Sequence, residues 1–341
     1  MEYRFESDFN KEYSILVRKL FRLLSEDSRT SISNLSEKIG TSRHTVVTKL
    51  KRLEADLKLL YTIEFNEDVI GLSNPHIILI KFSNKPDYNE IARLLSKSYI
   101  PQLVATVKGN YDMLIYANSA SRDEYVHWDK SMQIKLAKYG TLWQTSEVAH
   151  RQLGFFPIRN ELLAKLDIPE KYKRMLLILN ADSRISFKDL SKELGMHFNT
   201  VTYNFRNMLK MNYIRRFTSV IRERGSLAVM TTFGKYVISE SFEEDAAKER
   251  KALMSDDEFS MISRYVLVSQ LIGSYDYFSI GVFDNEDKAY KYDVKYYKET
   301  MAKDKVKVMY GTIDEVLLGS LPLRSIDTKA NYNLIRWVLE D

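Results

Sequence analysis

The chain has 341 residues, of which 45% are hydrophobic and 28% are charged, and it contains no cysteine. This length suggests two or more domains with sizeable cores, and the composition is ordinary for a globular protein. The absence of cysteine excludes disulfides and thiolate zinc sites. A charged N-terminus and the lack of an apolar run of about 20 residues predict a soluble, cytoplasmic protein without a membrane partner.

Charge is distributed unevenly along the chain, although its net value is only +5. Residues 1–65 carry 12 basic and 10 acidic side chains, and residues 161–225 carry 13 and 7. Residues 226–341 carry 15 basic and 20 acidic side chains. Positive charge is therefore concentrated in two segments, as expected of surfaces that bind nucleic acid.

The first predicted elements are an amphipathic helix over residues 11–25 and a helix-turn-helix over residues 27–54. Gly40 ends the first helix of that pair, because glycine enters the left-handed region without a steric penalty. Ser42 then stands where a helix N-cap belongs. The apolar residues of the second helix repeat with helical spacing and predict one buried stripe: Val46, Leu50 and Leu53.

The opposite face of this second helix is polar and basic, with no acidic residue before Glu54. Such a helix can lie in a DNA major groove, where its cations contact phosphates and its first turn reaches base edges. The predicted DNA-binding residues are Ser42, Arg43, His44, Thr45, Thr48, Lys49, Lys51 and Arg52. A helical hairpin with a solvated basic face is the alternative interpretation of the same stretch.

The pattern changes after a β-rich segment at residues 59–65, which we expect to be a strand or wing, and a hinge at residues 66–74. Strands are predicted over residues 76–82, 102–107, 113–116 and 142–148, and helices over residues 88–97 and 122–138. The order βαββαβ predicts a ferredoxin-like sandwich, with helices on one face of an antiparallel sheet. The other face is left to pack on something else, usually another copy.

The helix-turn-helix occurs a second time at a constant offset of 155 residues, which makes the chain a tandem duplication. Nine residues recur without a gap: Asp27, Ser28, Arg29, Ser31, Leu35, Ser36, Gly40, Thr45 and Val46 return as Asp182, Ser183, Arg184, Ser186, Leu190, Ser191, Gly195, Thr200 and Val201. Pro169 is expected in the first turn of the helix that precedes this second copy. An acidic insertion is expected over residues 239–258.

We therefore predict an α+β chain with two winged helix-turn-helix domains and two ferredoxin-like sandwiches. The predicted order is a winged helix-turn-helix (1–65), an α/β domain (75–153), a linker (154–168), a second winged helix-turn-helix (169–225), a second α/β domain (226–327) and a helical tail (328–341).

The second recognition helix differs from the first on its outward face, where one cation replaces four. The predicted DNA-binding residues of this copy are Phe198, Asn199, Thr202, Tyr203 and Arg206, with Arg215 and Arg216 on the wing. We expect unequal use of the two heads, with the stronger contacts made by the first.

These motifs resemble the Lrp/AsnC family of archaeal and bacterial transcription regulators. The resemblance rests on D-S-R-x-S…L-S-x-x-x-G…T-V, followed by a βαββαβ domain with G-x-Y-D between its second and third strands. It implies a regulator that binds double-stranded DNA, dimerises through its α/β domains and assembles further, here as a dimer of tandem chains. Within one chain, the two α/β halves would pack sheet to sheet as a pseudo-dimer.

The resemblance also implies an amino acid or related metabolite as effector, bound near the G-x-Y-D turns. The predicted effector residues are Gly109, Tyr111, Asp112, Gly273, Tyr275 and Asp276. The alternative is structural, because glycine and aspartate are good turn residues and the tyrosine can pack on the sheet. On that interpretation the sandwich serves for oligomerisation alone.

Two rival functions remain open from the sequence. Some relatives with this architecture, also found as fused pairs, are sirohaem decarboxylases that act on tetrapyrroles and have lost DNA binding. Their chemistry requires an acid–base group beside basic anchors for substrate carboxylates. Only His150-Arg151 has that character, and no nucleophile–base, metal-ligand or phosphate-loop spacing is present. We therefore predict no catalytic residues, no cofactor and no metal. The second rival is a module whose winged helices bind protein.

Overall fold

The computed structural model describes residues 15–56, 59–72, 74–221, 228–236, 265–283, 285–287, 289 and 306–323. The helices are α1 (Ile15–Glu26), α2 (Ile32–Ile39), α3 (Arg43–Asp56), α4 (Tyr88–Ser96), α5 (Arg122–Leu136), α6 (Asn160–Leu163), α7 (Glu170–Ala181), α8 (Phe187–Leu194) and α9 (Phe198–Lys210). The strands are β1 (Leu59–Phe65), β2 (His76–Phe82), β3 (Pro101–Gly109), β4 (Met113–Ala117), β5 (Thr141–Leu153), β6 (Ile214–Ile221), β7 (Ala228–Tyr236), β8 (Tyr265–Gly273), β9 (Tyr277–Phe283) and β10 (Val306–Gly319).

Two predicted segments lie outside the described residues: the acidic insertion 239–258 and the helical tail 328–341. The same holds for residues 11–14 of the first predicted helix. Pro169 is the N-cap of α7 rather than a residue of its first turn. No helix in the described part of the chain combines the length and the hydrophobicity that a bilayer crossing requires.

Both predicted helix-turn-helix units are present, and we call them the first head (α1–α3 with β1) and the second head (α7–α9 with β6). Gly40 and Gly195 end α2 and α8 in the left-handed conformation, at φ values of 76° and 64°. The predicted inward stripe of α3 is confirmed, since Val46, Leu50 and Leu53 are all buried.

The first α/β domain has the predicted order β2-α4-β3-β4-α5-β5, so its ferredoxin-like topology is confirmed. Helices α4 and α5 cover the outer face of the sheet, in a cluster that includes Ile80, Ile91, Leu95 and Trp128. In the second half, β7, β8, β9 and β10 follow the same strand order. The segments where its helices are expected, residues 237–264 and 284–305, lie outside the described residues except for residues 285–287 and 289.

The eight strands β2–β5 and β7–β10 form one closed sheet, in the order β10-β3-β4-β2-β5-β8-β9-β7. Two seams join the halves, both antiparallel: β3 pairs with β10, and β5 pairs with β8. We expected the two sheets to pack face to face. Their inner faces do share one apolar cluster, but the halves are also joined edge to edge by backbone hydrogen bonds.

Glycines permit the close approach of the strands at the β3–β10 seam. A Cβ on Gly109, at φ 152°, would lie 2.5 Å from the carbonyl oxygen of Tyr310 in β10. A Cβ on Gly319, at φ 80°, would lie 1.9 Å from the carbonyl oxygen of Gln102. Side chains at these positions would push the paired backbones apart, since real Cβ atoms do not approach so closely.

Aromatic rings fill the interior between the two halves. Phe156 stacks on Tyr116 with ring centroids 3.8 Å apart, and it also stacks on Phe278 at 6.4 Å. Phe233 contacts both Phe278 and Tyr111. Phe156 belongs to the segment 154–168 that we expected to be a linker, and that segment is a packed part of the core that contains α6.

A buried histidine predicts a pH dependence of stability. His76 stacks on Tyr125, with ring centroids 3.6 Å apart, and burial lowers its pKa below the ordinary 6.5 despite opposing effects of Asn74, Glu147 and Asp129. The unfolded chain therefore takes up a proton near pH 6.5, whereas the folded chain does not. Stability from this site is complete above about pH 6.5 and is lost as the pH falls further. The thermal midpoint should drop more steeply between pH 7 and 5 for the wild type than for His76→Phe, which keeps a stacked ring.

Candidate nucleic-acid interface

The recognition helix of the first head, α3, begins at a capped and exposed turn. The Ser42 hydroxyl accepts the N–H of Thr45 at 3.1 Å and lies 2.9 Å from the Thr45 hydroxyl, as predicted for an N-cap. This cap fixes the first turn of α3 and leaves Arg43 and His44 beside it in solvent. Arg43 and His44 thus occupy the end of the helix that can approach base edges.

Most of the predicted DNA-binding residues of α3 are accessible, and the others are partly covered. The exposed ones are Ser42, Arg43, His44, Thr48, Lys51 and Arg52, whereas Thr45 and Lys49 are half-buried. The Thr48 hydroxyl donates to the carbonyl oxygen of His44, so it is engaged within the helix. The exposed cations Arg43 and Lys51 are therefore groups of this face that a phosphate backbone can reach.

The recognition helix of the second head, α9, presents a different chemistry on the same face. Phe198, Asn199, Tyr203 and Arg206 are exposed, with Phe198 at 49% and Tyr203 at 64% of full exposure. Thr202 is half-buried, and its hydroxyl donates to the carbonyl oxygen of Phe198. Aromatic and amide groups replace most of the cations of α3.

The two predicted wings form a single two-stranded sheet between the heads. Strands β1 and β6 pair antiparallel, with Thr62 opposite Thr218 near the centre of the pairing. Each strand also contacts the first helix of the other head, because α1 packs on β6 and α7 packs on β1. We expected each strand to be a wing of its own head. Strand β1 does contact its own recognition helix, where the Tyr61 hydroxyl donates to Glu54 at 2.7 Å, and the two strands also join the heads.

This pairing decides the position of the predicted wing cations. Arg216 is half-buried, and its Nε lies 2.5 Å from the Oε2 of the buried Glu64 on β1. Arg215 is exposed, with Asp68 at 3.9 Å. Arg216 therefore contributes to the contact between the heads, and Arg215 is the member of the pair that faces solvent.

The repeated Asp-Ser-Arg motif forms a reciprocal clasp between the two heads. The hydroxyls of Ser28 and Ser183 are 2.6 Å apart. Arg29 donates to the carbonyl oxygens of Ser183, at 2.6 Å, and Ile185, while Arg184 donates to that of Ser28. The guanidinium of Arg29 also lies over the rings of Phe187, Phe205 and Phe217, at 5.2–5.5 Å from their centroids.

The clasp is the feature that sequence reasoning missed. Ser28 and Ser183 are completely buried, and burial lowers the pKa of Arg29. Buried polar groups of this kind require partners, and here each head supplies the partners of the other. One signal in the sequence could have revealed the clasp. The Asp-Ser-Arg motif recurs without change at the start of both copies, at positions that do not belong to the apolar stripes.

A buried ion pair fixes the hinge between the first head and its α/β domain. Glu67 is 5% exposed, and Arg151 of β5 donates to it at 2.6 Å in a two-pronged contact. Asn118 donates to the same carboxylate at 3.2 Å. Arg151, which we had considered with His150 as a possible substrate anchor, is therefore bound to the hinge.

The predicted effector residues lie at the two seams of the closed sheet. Tyr111 is 1% exposed and its hydroxyl contacts that of Thr231, while Tyr275 is 7% exposed and donates to Gln144 at 3.1 Å. Burial raises the pKa of both phenols.

Asp112 and Asp276 of these turns bind Lys81 and Lys235, at 2.8 and 2.9 Å. A cavity of about 430 Å³ lies elsewhere, between α4 and α5, and none of the six predicted effector residues lines it. The side-chain polar groups of the turns are thus engaged within the chain.

Comparisons with known proteins agree with these features. The profile of a family described as winged helix-turn-helix DNA-binding matches residues 171–215. An HTH-type transcriptional regulator of Pyrococcus furiosus is 31% identical over 123 residues, which cover 36% of this chain and 82% of the relative.

Two solved structures are also similar. The siroheme decarboxylase NirDL superposes with a TM-score of 0.57 at 12% identity, over 96% of this chain and all of the other. The leucine response regulatory protein of Mycobacterium tuberculosis has a TM-score of 0.35 at 18% identity, over 40% of this chain and 93% of the other. The first likeness shows that the tandem fold extends through this chain.

Proposed function

The chain belongs to the family of HTH-type transcriptional regulators, and from this premise we propose that it is a sequence-specific DNA-binding regulator of the Lrp/AsnC type. One duplex is bound by both heads of a chain. The observation that carries the proposal is the exposed basic face of α3, at a capped helix start, in a head that is clasped to a second one.

The charge of α3 supports a phosphate-binding role. Arg43 and Lys51 are exposed on one helix, and α3 has no acidic residue before Glu54. Cations so placed release counterions from DNA when they contact phosphates, which gives affinity that falls steeply with salt. A basic face that does not contact DNA would contribute nothing to this salt dependence.

The rigid contact between the heads supports binding to one duplex. Three contacts fix one recognition helix relative to the other. They are the clasp, the pairing of β1 with β6, and the packing of α1 and α7 on the strand of the opposite head. The entropic cost of ordering the two heads therefore arises when the chain folds, and it does not reduce the free energy of DNA binding. A chain built in this way suits two half-sites at a fixed separation.

The test is a fluorescence-anisotropy titration of fragments from the gene's own upstream region, at two salt concentrations. Arg43→Ala/Lys51→Ala should weaken binding roughly tenfold or more and flatten the salt dependence by about one phosphate contact for each lost cation. Arg206→Ala should weaken it less, because the second head has one cation on this face.

Lys130→Ala, an exposed cation on α5, is the control and should leave the affinity unchanged. Equal losses in both head variants would contradict the dominance of the first head. The absence of binding above background at low salt, with every upstream fragment, would contradict regulation of the gene by its own product.

Regulation by an amino acid, and assembly into a dimer of tandem chains, complete the proposal. The resemblance to the Lrp/AsnC family supports both proposals. The burial of Tyr111 and Tyr275 instead favours a structural role for the G-x-Y-D turns. Repeating the titration with free amino acids separates these roles, since unchanged affinity would leave the turns as structure alone. Sedimentation of the full chain measures the stoichiometry.

A sirohaem-decarboxylase-like enzyme is the second candidate, because the likeness to NirDL extends over 96% of the chain. At 12% identity this likeness is one of fold. Arg151 is bound to Glu67, and His150 is exposed beside it. Mixing the protein with sirohaem and following the absorbance spectrum tests this candidate, and an unchanged spectrum would argue against it.

A further inference from the structure

The two recognition helices present different base-reading chemistry at equivalent positions. The offset of 155 residues pairs Arg43 with Phe198, His44 with Asn199, Thr48 with Tyr203 and Lys51 with Arg206. Every one of these side chains is exposed. Equivalent positions on two similarly built heads face their half-sites in the same way, so differences between the pairs become differences in what is recognised.

Both helix starts are held in place, which puts the first pairs of positions within reach of base edges. On α3 the Ser42 hydroxyl accepts the N–H of Thr45 at 3.1 Å. On α9 the ring of His197 accepts the N–H of Asn199 at 3.4 Å. The N-terminal residues of a recognition helix are those that contact bases in a major groove.

The first turn of α3 is suited to guanine. Arg43 is exposed there, and an arginine binds the O6 and N7 atoms of guanine with two parallel hydrogen bonds. The neighbouring His44 is a further donor. Thr48 contributes little to base recognition from the next turn, because its hydroxyl is already bonded to the backbone of His44.

The first turns of α9 are suited to A·T pairs. The amide side chain of Asn199 forms no hydrogen bond with another described residue, and an asparagine amide matches the N6 and N7 atoms of adenine. Phe198 and Tyr203 expose 49% and 64% of their surface, and apolar groups in the major groove contact the methyl group of thymine.

We propose that the two heads read half-sites of different base composition within one duplex. The first head recognises guanine through Arg43, and the second recognises an A·T-rich half-site through Asn199, with Phe198 and Tyr203 on thymine methyls. This inference rests on the proposed function. It assigns Arg43 and Asn199 as specificity-determining residues, and it makes the operator asymmetric.

The first experiment is selection of duplexes from a random library with the full wild-type chain, followed by sequencing. The expected result is two boxes at constant separation, one with an invariant G·C pair and one composed of A·T pairs. Two boxes of the same composition would overturn the inference.

The second experiment assigns the boxes to residues by competition anisotropy on the selected duplex. In Asn199→Ala, the preference for the selected duplex over one with a substituted A·T box should fall roughly tenfold, while the preference at the G·C box is kept. Arg43→Ala should lose the preference at the G·C box and keep that at the A·T box. Asn89→Ala, which removes an exposed amide on α4, should behave as the wild type. Unchanged box preferences in Asn199→Ala would refute the assignment.

The outcomes separate this inference from the proposed function. Salt-sensitive binding without any enriched sequence would overturn the inference and leave DNA binding intact. The inference would also be overturned, with DNA binding intact, if the aromatic surface of α9 bound a protein and only the first head contacted DNA. Absence of salt-sensitive binding to every duplex would overturn both.

Discussion

Replacing Glu67 by alanine should lower the free energy of unfolding by about 3–5 kcal/mol, because it leaves a buried cation without its partner. The Arg151 guanidinium would lose two hydrogen bonds at a site where its side chain is 18% exposed. Asn118 would lose an acceptor in the same change. Few water molecules can reach these groups to replace the lost hydrogen bonds, so the variant bears the desolvation cost of the unpaired donors.

Denaturant titration of Glu67→Ala against Asp68→Ala measures this effect. Asp68 is the adjacent residue, and its contact with Arg215 is exposed, at 3.9 Å. An exposed pair contributes about 0–1 kcal/mol, so Asp68→Ala should be nearly neutral. The double variant Glu67→Met/Arg151→Met should recover much of the loss. Equal effects of the two single variants would show that the hinge pair does not stabilise the fold.

Replacing Gly319 by alanine should destabilise the chain by about 2–5 kcal/mol, through backbone strain and a clash at the β3–β10 seam. The left-handed backbone, at φ 80°, costs about 1–2 kcal/mol for any side chain. The new Cβ would also lie 1.9 Å from the Gln102 carbonyl oxygen, and displacing that backbone costs a further 1–3 kcal/mol, roughly as overpacking does.

Gly71→Ala is the matched control for this prediction. Gly71 has nearly the same backbone conformation, at φ 81°, but no heavy atom lies within 4 Å of its ideal Cβ position. It therefore reports the conformational penalty alone. A loss for Gly319→Ala that did not exceed the loss for Gly71→Ala would contradict the close approach of the two strands at this seam.

Local periodicity accounts for the part of the fold that could be predicted from sequence. The inward stripe Val46, Leu50 and Leu53, the left-handed turns at Gly40 and Gly195, and the order of the first α/β domain all follow from patterns within about 15 residues. Such patterns report which face of an element is buried.

The contacts between the halves could not be predicted in the same way. Strand β1 reads equally well as a wing of its own head or as a partner of β6, because its alternation is satisfied by either neighbour. Glu67 lies in a polar hinge that gives no sign of its pairing with Arg151, 84 residues further on. Ser28 and Ser183 are ordinary turn residues until the two heads meet.

The candidate DNA-binding site, like the fold, could be predicted only in part from the sequence. Helical spacing identified the exposed cations of α3 and the aromatic and amide groups of α9. The sequence placed Arg216 on a wing as a DNA-binding residue, whereas that guanidinium binds Glu64 between the heads. The difference arises because salt bridges across long separations leave no periodic pattern.

Hydroxyl-radical footprinting of one full chain on a selected duplex tests the central claim most directly. We expect two protected patches on the same duplex at fixed separation, and Arg43→Ala/Lys51→Ala should abolish protection of one patch and weaken that of the other less. This result follows because the first head supplies most of the cations, and the clasp keeps the second head in position. A single protected patch, or no protection at concentrations that saturate the anisotropy signal, would contradict the binding of one duplex by both heads.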